Sequence, residues 1–403
     1  MPLRHSRLLP LLLAGISMIA PFAIDTYLPA FHTMQEVLGA SPVQMQQTLS
    51  AYLAAFGGML LFHGALSDAY GRRPVILVCL AVFSLASLAC MFVGSIHALT
   101  ALRVVQGCTG GAGVVVGRAI IRDLHEGPAA QRMMSQVTMW FSLAPAIAPV
   151  IGGFLLHHLG WHSIFGFMGL TGVLLWALCH FQLPETLPPE ERQSFRAGPL
   201  LNAYGEVLGD ARFIWLSLAL AANFSGFFLY IASAPAFVGV LLQQPETRYA
   251  WLFAPGIAGI SLGAWLSGRV AGKWTRTRSI QTGFAITCCS AAANLAGNAL
   301  HAPVLPWAVI PIMAYTTGIS LIMPSVTLTL LDYYPHHRGM VSSLQNCMAT
   351  LLNALVAGLI SPLLSSSGLS LAVGMALFAT AGLGCYLAYW RLPHRLRPVT
   401  LSC

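Results

Sequence analysis

Long apolar runs, separated by short polar breaks or by Pro and Gly, make up most of this chain. A run of about 20 apolar residues is long enough to cross a bilayer as a helix. Cutting the sequence at its breaks predicts spanning helices at 8–31, 43–66, 74–94, 97–120, 132–157, 161–183, 213–241, 248–272, 279–300, 304–331, 339–365 and 369–391. The longest polar stretch lies between the sixth and the seventh run.

This pattern predicts an all-α integral membrane protein with twelve transmembrane helices in two pseudo-symmetric six-helix bundles. The predicted divisions are an N-terminal bundle over 1–183, a cytoplasmic linker over 184–212 and a C-terminal bundle over 213–403. The breaks after the second and eighth helices, Gly64–Arg73 and Gly263–Lys273, share Gly-Ala followed by Gly and basic residues. That similarity indicates a decayed internal repeat, with halves related by an axis along the membrane normal.

Composition agrees with a membrane protein. Hydrophobic residues make up 57% of the 403 residues and charged residues only 8%, against about 25% charged in soluble domains. Eight of the nine cysteines fall in apolar runs without paired CxxC spacing, so neither a disulfide framework nor a metal site is indicated. The first apolar run is too long for a signal-peptide core, and we expect it to be retained.

Basic residues are distributed unevenly between the two predicted sides of the membrane. With the N-terminus inside, only Arg248 falls outside and Arg103 falls within a helix, whereas every other Lys and Arg is cytoplasmic. Such an asymmetry predicts that both termini are cytoplasmic. It also accounts for the net charge of +8, so we expect no nucleic-acid partner.

The first apolar run contains a single carboxylate, Asp25. An ionised acid near the middle of a bilayer costs about 2.5 to 3.5 kcal/mol, and such residues usually mark an ion or substrate path. Our hypothesis is that Asp25 binds and releases a proton. The alternative is a carboxylate that only ties this helix to a neighbour by a hydrogen bond.

Arg103 lies well inside the fourth predicted helix. It lies about seven residues from the outer end of that helix and Asp25 about six from the outer end of the first, so the two share nearly the same depth at about 1.5 Å per residue. We expect them to interact, because each offsets the cost of burying the other's charge. Arg103 could instead be a structural partner without a transport role.

Three segments resemble the signature motifs of the major facilitator superfamily. Gly64-x-Leu-Ser-Asp68-x-x-Gly71-Arg72-Arg73 resembles its loop between helices two and three. Arg103-Val-Val-Gln-Gly107 resembles its fourth-helix motif, and Ala144-Pro-Ala-Ile-Ala-Pro-Val-Ile-Gly-Gly153 its fifth-helix antiporter motif. The last segment departs from that pattern, with Ala148 and Trp140 at positions of Gly.

Four further segments resemble the bicyclomycin/chloramphenicol (Bcr/CflA) drug-efflux branch: Asp25-Thr-Tyr-Leu-Pro29, Ala148-Pro149, Leu183-Pro-Glu-Thr-Leu-Pro-Pro189 and Ser233-Ala-Pro235. The resemblance implies a monomeric transporter of the bacterial inner membrane that exchanges small amphipathic drugs for protons, without a cofactor. It also implies that the first and fourth helices line a central cavity, where Asp25 would take a proton from outside and release it inward.

The loop after the second helix resembles a cytoplasmic latch. The resemblance implies that Arg72 lies near Asp123 and that Asp68 lies near 339–342, at the start of the eleventh helix. The implied gating residues are Gly64, Asp68, Gly71, Arg72, Arg73 and Asp123. Alternatively, the two arginines serve only to set the topology.

The fifth helix carries Pro145, Pro149, Gly152 and Gly153, which interrupt its hydrogen-bond ladder and predict a kinked, closely packed helix. An ordinary kink with no coupling role is the alternative. Five glycines of the fourth helix, between Gly107 and Gly117, predict close backbone packing. No phosphate-binding loop of the G-x-x-x-x-G-K-S/T kind occurs in the sequence, so an ion gradient is the expected energy source.

Substrate contacts have the weakest signal. Aromatic and polar side chains of the second and seventh helices could join Asp25 and Arg103 in an apolar drug pocket; they are Tyr52, Asn223, Phe227, Phe228 and Tyr230. Packing or lipid contact is the alternative for each of them.

Two other functions stay open at this point. A transporter for one metabolite, such as a sugar, amino acid or nucleoside, would need the same physical parts and would differ in its substrate profile. A polytopic membrane enzyme needs clustered acids or a nucleophile beside a base. The twelve acidic residues here are scattered, which disfavours an enzyme.

Overall fold

The computed structural model describes residues 8–125, 127–195, 197–245, 248–301, 303–335 and 337–393. Throughout these ranges the regular structure is helical. The chain divides into two compact units, Met1–Arg196 and Ala197–Cys403. The division falls inside the predicted linker, and the domain boundaries themselves stay a prediction. The termini, predicted to be cytoplasmic, lie outside the described residues.

The first unit contains eight α-helices in its described part. They are α1 (Leu8–Asp25), α2 (Phe31–Val37), α3 (Pro42–Tyr70), α4 (Arg72–Cys90), α5 (Ile96–Gly110), α6 (Ala112–Leu124), α7 (Gly127–Leu159) and α8 (His162–Gln182). Two of the predicted spans are divided: a 3₁₀ turn at Leu28–Ala30 separates α1 from α2, and Gly111 separates α5 from α6. The first break places Asp25 at the last position of α1.

The second unit follows the same plan, preceded by a short helix. Its described helices are α9 (Ala197–Leu208), α10 (Ala211–Ala232), α11 (Ala250–Val270), α12 (Arg276–Leu300), α13 (Ile310–Tyr333), α14 (Arg338–Leu355), α15 (Ser361–Leu364) and α16 (Gly368–Trp390). π-Helical turns extend α10 at Pro235–Leu241 and join α14 to α15 at Val356–Ile360.

Eleven helical segments of the described chain are long and apolar enough to cross a membrane. They match eleven of the twelve predicted spans. The ninth, α12, has 25 residues but carries Thr, Ser, Asn and Gln along its length, so it does not reach the same hydropathy. Its crossing of the membrane stays a prediction.

Local sequence sets several helix ends. At the start of α3, Ser41 and Gln44 form a reciprocal capping box, in which each side chain accepts a hydrogen bond from the other residue's backbone. Gly71 ends α3 with φ of +100°, a conformation that favours glycine because a Cβ would be strained there. This sharp turn leads directly into α4.

Helices of the first unit approach one another closely at glycines. A Cβ added to Gly107 would collide with the Tyr52 carbonyl oxygen, and one added to Gly113 would collide with the Ile16 carbonyl oxygen. Because glycine has no side chain, α5 can pack directly on α3 and α6 directly on α1. Together, α5 and α6 form the fourth predicted span. This is the close packing that the Gly-rich sequence predicts.

Candidate functional site

Asp25 is buried in the first unit, with only 4% of the residue exposed. No hydrogen bond or ion pair to its carboxylate is found among the residues that the structure describes. A buried charge without a partner costs free energy. Within the described residues, the surroundings therefore supply no direct counter-charge for an ionised Asp25.

Arg103 is completely buried on α5. Its Nη1 donates a 2.9 Å hydrogen bond to Oε1 of Gln106. The Gln106 amide nitrogen in turn donates at 2.8 Å to the Ser87 hydroxyl, which donates at 2.7 Å to the Phe83 carbonyl. This chain of hydrogen bonds fixes the guanidinium against α4. Gln106 lies within the fourth-helix motif, but the motif alone does not reveal this hydrogen bond to Arg103.

Two tyrosine rings complete the surroundings of Arg103. Its guanidinium carbon lies 4.7 Å from the ring centre of Tyr27 and 4.4 Å from that of Tyr52, distances at which a cation is attracted by the ring face. The Tyr27 hydroxyl shares a 2.7 Å hydrogen bond with Thr48, and the Tyr52 hydroxyl donates to the Ala20 carbonyl at 3.2 Å. The rings are therefore held in place by their own hydroxyl groups.

Asp25 and Arg103 do not form the direct interaction that their depth suggests. Within the described part of the chain, no ion pair of 4.0 Å or less joins them, and Nε and Nη2 of Arg103 have no hydrogen-bond partner. Tyr52 lies within electrostatic range of both groups. The aromatic rings replace the carboxylate as neighbours of the cation, and two guanidinium nitrogens stay available as donors.

At the other end of the unit, Arg72 lies where α4 begins. Its Nε donates a 3.0 Å hydrogen bond to Oδ2 of Asp123, and its Nη1 donates to the Ser67 hydroxyl at 2.7 Å and also contacts Asp68. The structure thus brings Arg72 and Asp123 together, as the superfamily resemblance implies. Arg73 donates to the His180 carbonyl at 2.7 Å, so it ties α4 to α8.

A further carboxylate, Glu185, which no motif of the sequence singles out for this cluster, completes it. Oε1 of Glu185 accepts hydrogen bonds of 3.0 Å from the backbone N–H groups of Arg72, Thr186 and Leu187. Its Oε2 lies 3.8 Å from the guanidinium of Arg192. We call Glu185, Thr186 and Arg192 the post-α8 clamp. These residues lie in or just after Leu183–Pro189, a segment whose resemblance to the Bcr/CflA branch marks it in the sequence but does not specify these contacts.

The post-α8 clamp also engages the latch residues directly. The Thr186 hydroxyl donates to Oδ2 of Asp123 at 2.7 Å, and the backbone N–H of Gln193 donates to the Asp68 carbonyl at 3.1 Å. A Cβ at Gly71 would collide with the Glu185 carboxylate. A contact between Asp68 and 339–342 would join the two units and stays a prediction.

The second unit repeats the arginine and aspartate pair. Arg276, the first residue of α12, donates from Nη1 to Oδ2 of Asp332 near the end of α13 at 2.5 Å. Arg72 and Asp123 occupy the corresponding helices of the first unit. The internal repeat inferred from the sequence therefore includes this ion pair, although the second copy is about half exposed.

The antiporter-motif residues lie on α7, which contains Pro145 and Pro149 and continues through both. Pro149, Gly152 and Gly153 are buried. A Cβ added to Gly152 would collide with the carbonyl oxygen of Thr26. This glycine therefore lets α7 pack against the chain beside Asp25. Whether the contact couples to transport stays a prediction.

The predicted substrate residues of α10 are all buried within the second unit. The Tyr230 hydroxyl accepts a 2.7 Å hydrogen bond from the Asn294 amide, and Asn223 donates at 3.4 Å to Thr287. The Phe227 ring packs where Gly256 has no side chain, and Phe228 lies 5% exposed. Each has neighbours inside its own unit, so a role in substrate binding stays a prediction.

Comparisons with known proteins agree with this architecture. The sequence profile described as "Major Facilitator Superfamily" matches residues 13–358. An uncharacterized MFS-type transporter, YdgK of Bacillus subtilis, is 31% identical over 95% of each chain. Multidrug resistance protein D of Escherichia coli is 27% identical, covering 96% of this chain and 98% of its own. A bicyclomycin resistance protein homolog of Haemophilus influenzae is 34% identical over 65% of this chain and 66% of its own.

Solved structures show the same fold at low sequence identity. A bacterial homolog of the human lysosomal transporter Spinster matches with a TM-score of 0.75 and 17% identity over the whole of both chains. The Escherichia coli xylose transporter XylE matches with a TM-score of 0.71 and 13% identity, over 98% of this chain and 99% of its own. The chain is a multi-span membrane protein that belongs to the Major Facilitator Superfamily of transporters.

Proposed function

We propose that this transporter exports small amphipathic drugs from the cytoplasm in exchange for protons. Relatives that carry drug-resistance names align with nearly the full chain or with large parts of it, which supports drugs as the substrate class. The observation that carries the proton coupling is Asp25, a buried acid without a described partner in the first unit.

Arg103 gives the exchange a physical basis. It is a buried cation with two unused donors, and it lies beside the Tyr52 ring, which is within electrostatic range of Asp25. When Asp25 loses its proton, its carboxylate becomes a counter-charge for a cationic or hydrogen-bonding drug. When Asp25 is protonated from outside, that attraction ends and the drug is released. Each pH unit supplies about 1.4 kcal/mol per proton, which is enough for a useful drug gradient.

We further propose that all twelve spans cross a bacterial inner membrane, with both termini in the cytoplasm, and that the protein acts as a monomer. The positions of the polar side chains on α12 support its membrane crossing, because they face the inside of the unit. Thr287, Ser290 and Asn294 are buried inside the unit, whereas Ala292 and Ala296 are exposed. The helix thus presents small apolar groups outward while its polar groups are hydrogen-bonded within the protein.

The direct test is drug uptake into inverted membrane vesicles under an imposed pH gradient. Asp25→Asn should abolish proton-driven uptake, because the amide has no proton to exchange. Glu36→Gln is the matched control, since Glu36 is an exposed acid of the same unit, and it should transport like the wild type. Undiminished uphill transport by Asp25→Asn on the pH gradient alone would overturn the proposal.

A substrate panel separates drug export from the metabolite alternative. Several chemically unrelated drugs should each be exported, because an apolar and aromatic site selects weakly among shapes. Transport of a single sugar, amino acid or nucleoside, with none of the drugs moved, would contradict drug export. Proton coupling through Asp25 would then be tested with that metabolite in the same vesicle assay.

A further inference from the structure

A groove opens between α12 and α16 on the surface of the second unit, at a place that none of the proposed site residues occupies. It has a volume of about 480 Å³, and its walls include Phe284, Leu383, Leu387 and Trp390, with Gln281 at one end. The proposed exchange of drug and proton gives this groove no role. Its apolar walls nevertheless define a binding surface.

An aromatic stack forms the floor of the groove. The rings of Phe284 and Tyr386 are stacked with centres 5.5 Å apart, and Trp390 meets Tyr386 edge to face at 6.3 Å. Leu387 beside them is 50% exposed. Ala285 has a small side chain in the wall and leaves room above the stack. A rigid apolar trough of this kind fits an extended hydrocarbon chain.

Two arginines lie close along the chain to residues that line the groove. Arg278 precedes Gln281 by three residues, so their side chains share a face of α12. Arg391 directly follows Trp390 at the end of α16. Both arginines are exposed, and the Arg278 guanidinium carbon lies 4.8 Å from the ring centre of Trp274. Asp332, an acid at this end of the unit, is already paired with Arg276. The groove therefore joins an apolar trough to a positively charged mouth.

We propose that this groove binds one anionic phospholipid. An acyl chain lies along the stack of Phe284, Tyr386 and Trp390, and the phosphate is held by Arg278 and Arg391. The Gln281 amide is placed to donate to a glycerol ester. One molecule of this class meets both features, whereas a neutral lipid leaves the arginines unused and free phosphate leaves the trough unused.

Native mass spectrometry of the full chain in detergent tests this site. The probes are phosphatidylglycerol, phosphatidylcholine with the same acyl chains, and inorganic phosphate. Wild-type protein should prefer phosphatidylglycerol. Arg278→Gln and Arg391→Gln should each weaken its binding by about fivefold, as expected for one basic residue facing an anionic headgroup, and should leave phosphatidylcholine unchanged. The matched control Arg248→Gln, far along the chain from the groove, should bind like the wild type.

A separate variant tests the apolar trough. Ala285→Leu should fill the groove and weaken both lipids several-fold, whereas Ala296→Leu, at an exposed position of α12 outside the groove, should weaken neither. The arginine variants lie at exposed helix ends and decide the question even if Ala285→Leu is unstable. Equal phosphatidylglycerol binding by wild type and the double arginine variant would overturn the proposal. So would displacement of the lipid by phosphate, or a wild-type dimer that Ala285→Leu abolishes.

Discussion

Arg72 and Asp123 join the first residue of α4 to the end of α6 through a 3.0 Å hydrogen bond from Nε to Oδ2. The same arginine donates its backbone N–H to Glu185, and the same aspartate accepts from Thr186. The ion pair therefore lies at the centre of a cluster that also includes the chain leaving α8. Substitution of either member of the pair should therefore destabilise the contact between α4 and α6.

Reversing the charge of Asp123 should damage this cluster. Asp123→Arg places two cations side by side and removes the acceptor for Thr186, so we expect a loss of about 2 kcal/mol of stability and most of the transport. Adding Arg72→Asp should restore part of both, because the opposite charges meet again. Thermal unfolding in detergent and vesicle transport measure the two effects. Losses that simply add would argue against a functional pair.

Neutralising Glu185 should loosen the post-α8 clamp. Glu185→Gln keeps the shape of the side chain but removes the charge that faces Arg192 and three N–H donors, so we expect a loss of about 1 to 2 kcal/mol in thermal unfolding. Glu190→Gln is the matched control, because Glu190 is an exposed acid in the following turn. Equal shifts for the two variants would show that the clamp contributes nothing specific.

Gly107→Ala should separate α5 from α3. The added methyl group would collide with the Tyr52 carbonyl oxygen, and overpacking of this kind costs about 1 to 3 kcal/mol. The control is Gly58→Ala on α3, where a Cβ would meet nothing within 4 Å; it should be neutral or stabilise by up to about 1 kcal/mol. Unfolding temperatures that fall equally for both would contradict the close contact.

Asp210, which caps α10, should make stability depend on pH. Burial opposes its charge, but hydrogen bonds from Arg212 and from the Tyr334 hydroxyl outweigh this, so the pKa of its carboxyl lies below its usual value. Because the folded pKa is the lower one, the stabilisation is present above the unfolded pKa of about 3.9 and is lost as pH falls through the folded value.

The measurement for Asp210 is the unfolding temperature between pH 7 and pH 3. Asp210→Asn should be less stable than the wild type at pH 7, and the difference should shrink below about pH 4 as the wild-type acid becomes protonated. Glu191→Gln, at an exposed acid of the first unit, serves as control. A difference that stays constant across this range would contradict the assignment.

The helices were predictable because membrane spans require long apolar runs, and run length is read directly from the sequence. The breaks within spans were not predicted. The first predicted span, 8–31, ends its regular helix at Asp25 and resumes at Phe31, since Pro29 cannot donate a backbone hydrogen bond. In α12, by contrast, run length predicts a span that hydropathy does not reach. Its outward face carries small apolar residues, but the buried Asn and Thr lower the mean hydropathy of the whole helix.

Site geometry was predictable only where a motif specified a partner. The resemblance placed Arg72 near Asp123, and the structure agrees. It could not show that Arg103 contacts the Tyr27 and Tyr52 rings, because side chains of α3, of α5 and of the turn after α1 meet there through tertiary packing. Equal depth along two helices restricts a distance in one direction only. It therefore could not establish the direct pair with Asp25, which the structure does not form.

The hydrogen bond from Gln193 to the Asp68 carbonyl means that the chain does not become independent of the first unit where α8 stops. Between them, Glu185 and Gln193 attach the segment after α8 to the start of α4 and the end of α3. A protease that cuts just beyond Gln193 would therefore be expected to leave residues 183–193 packed against α3 and α4 instead of free as a loose end. The loop would still hold the Asp68 and Arg72 segment after the two fragments are no longer covalently joined.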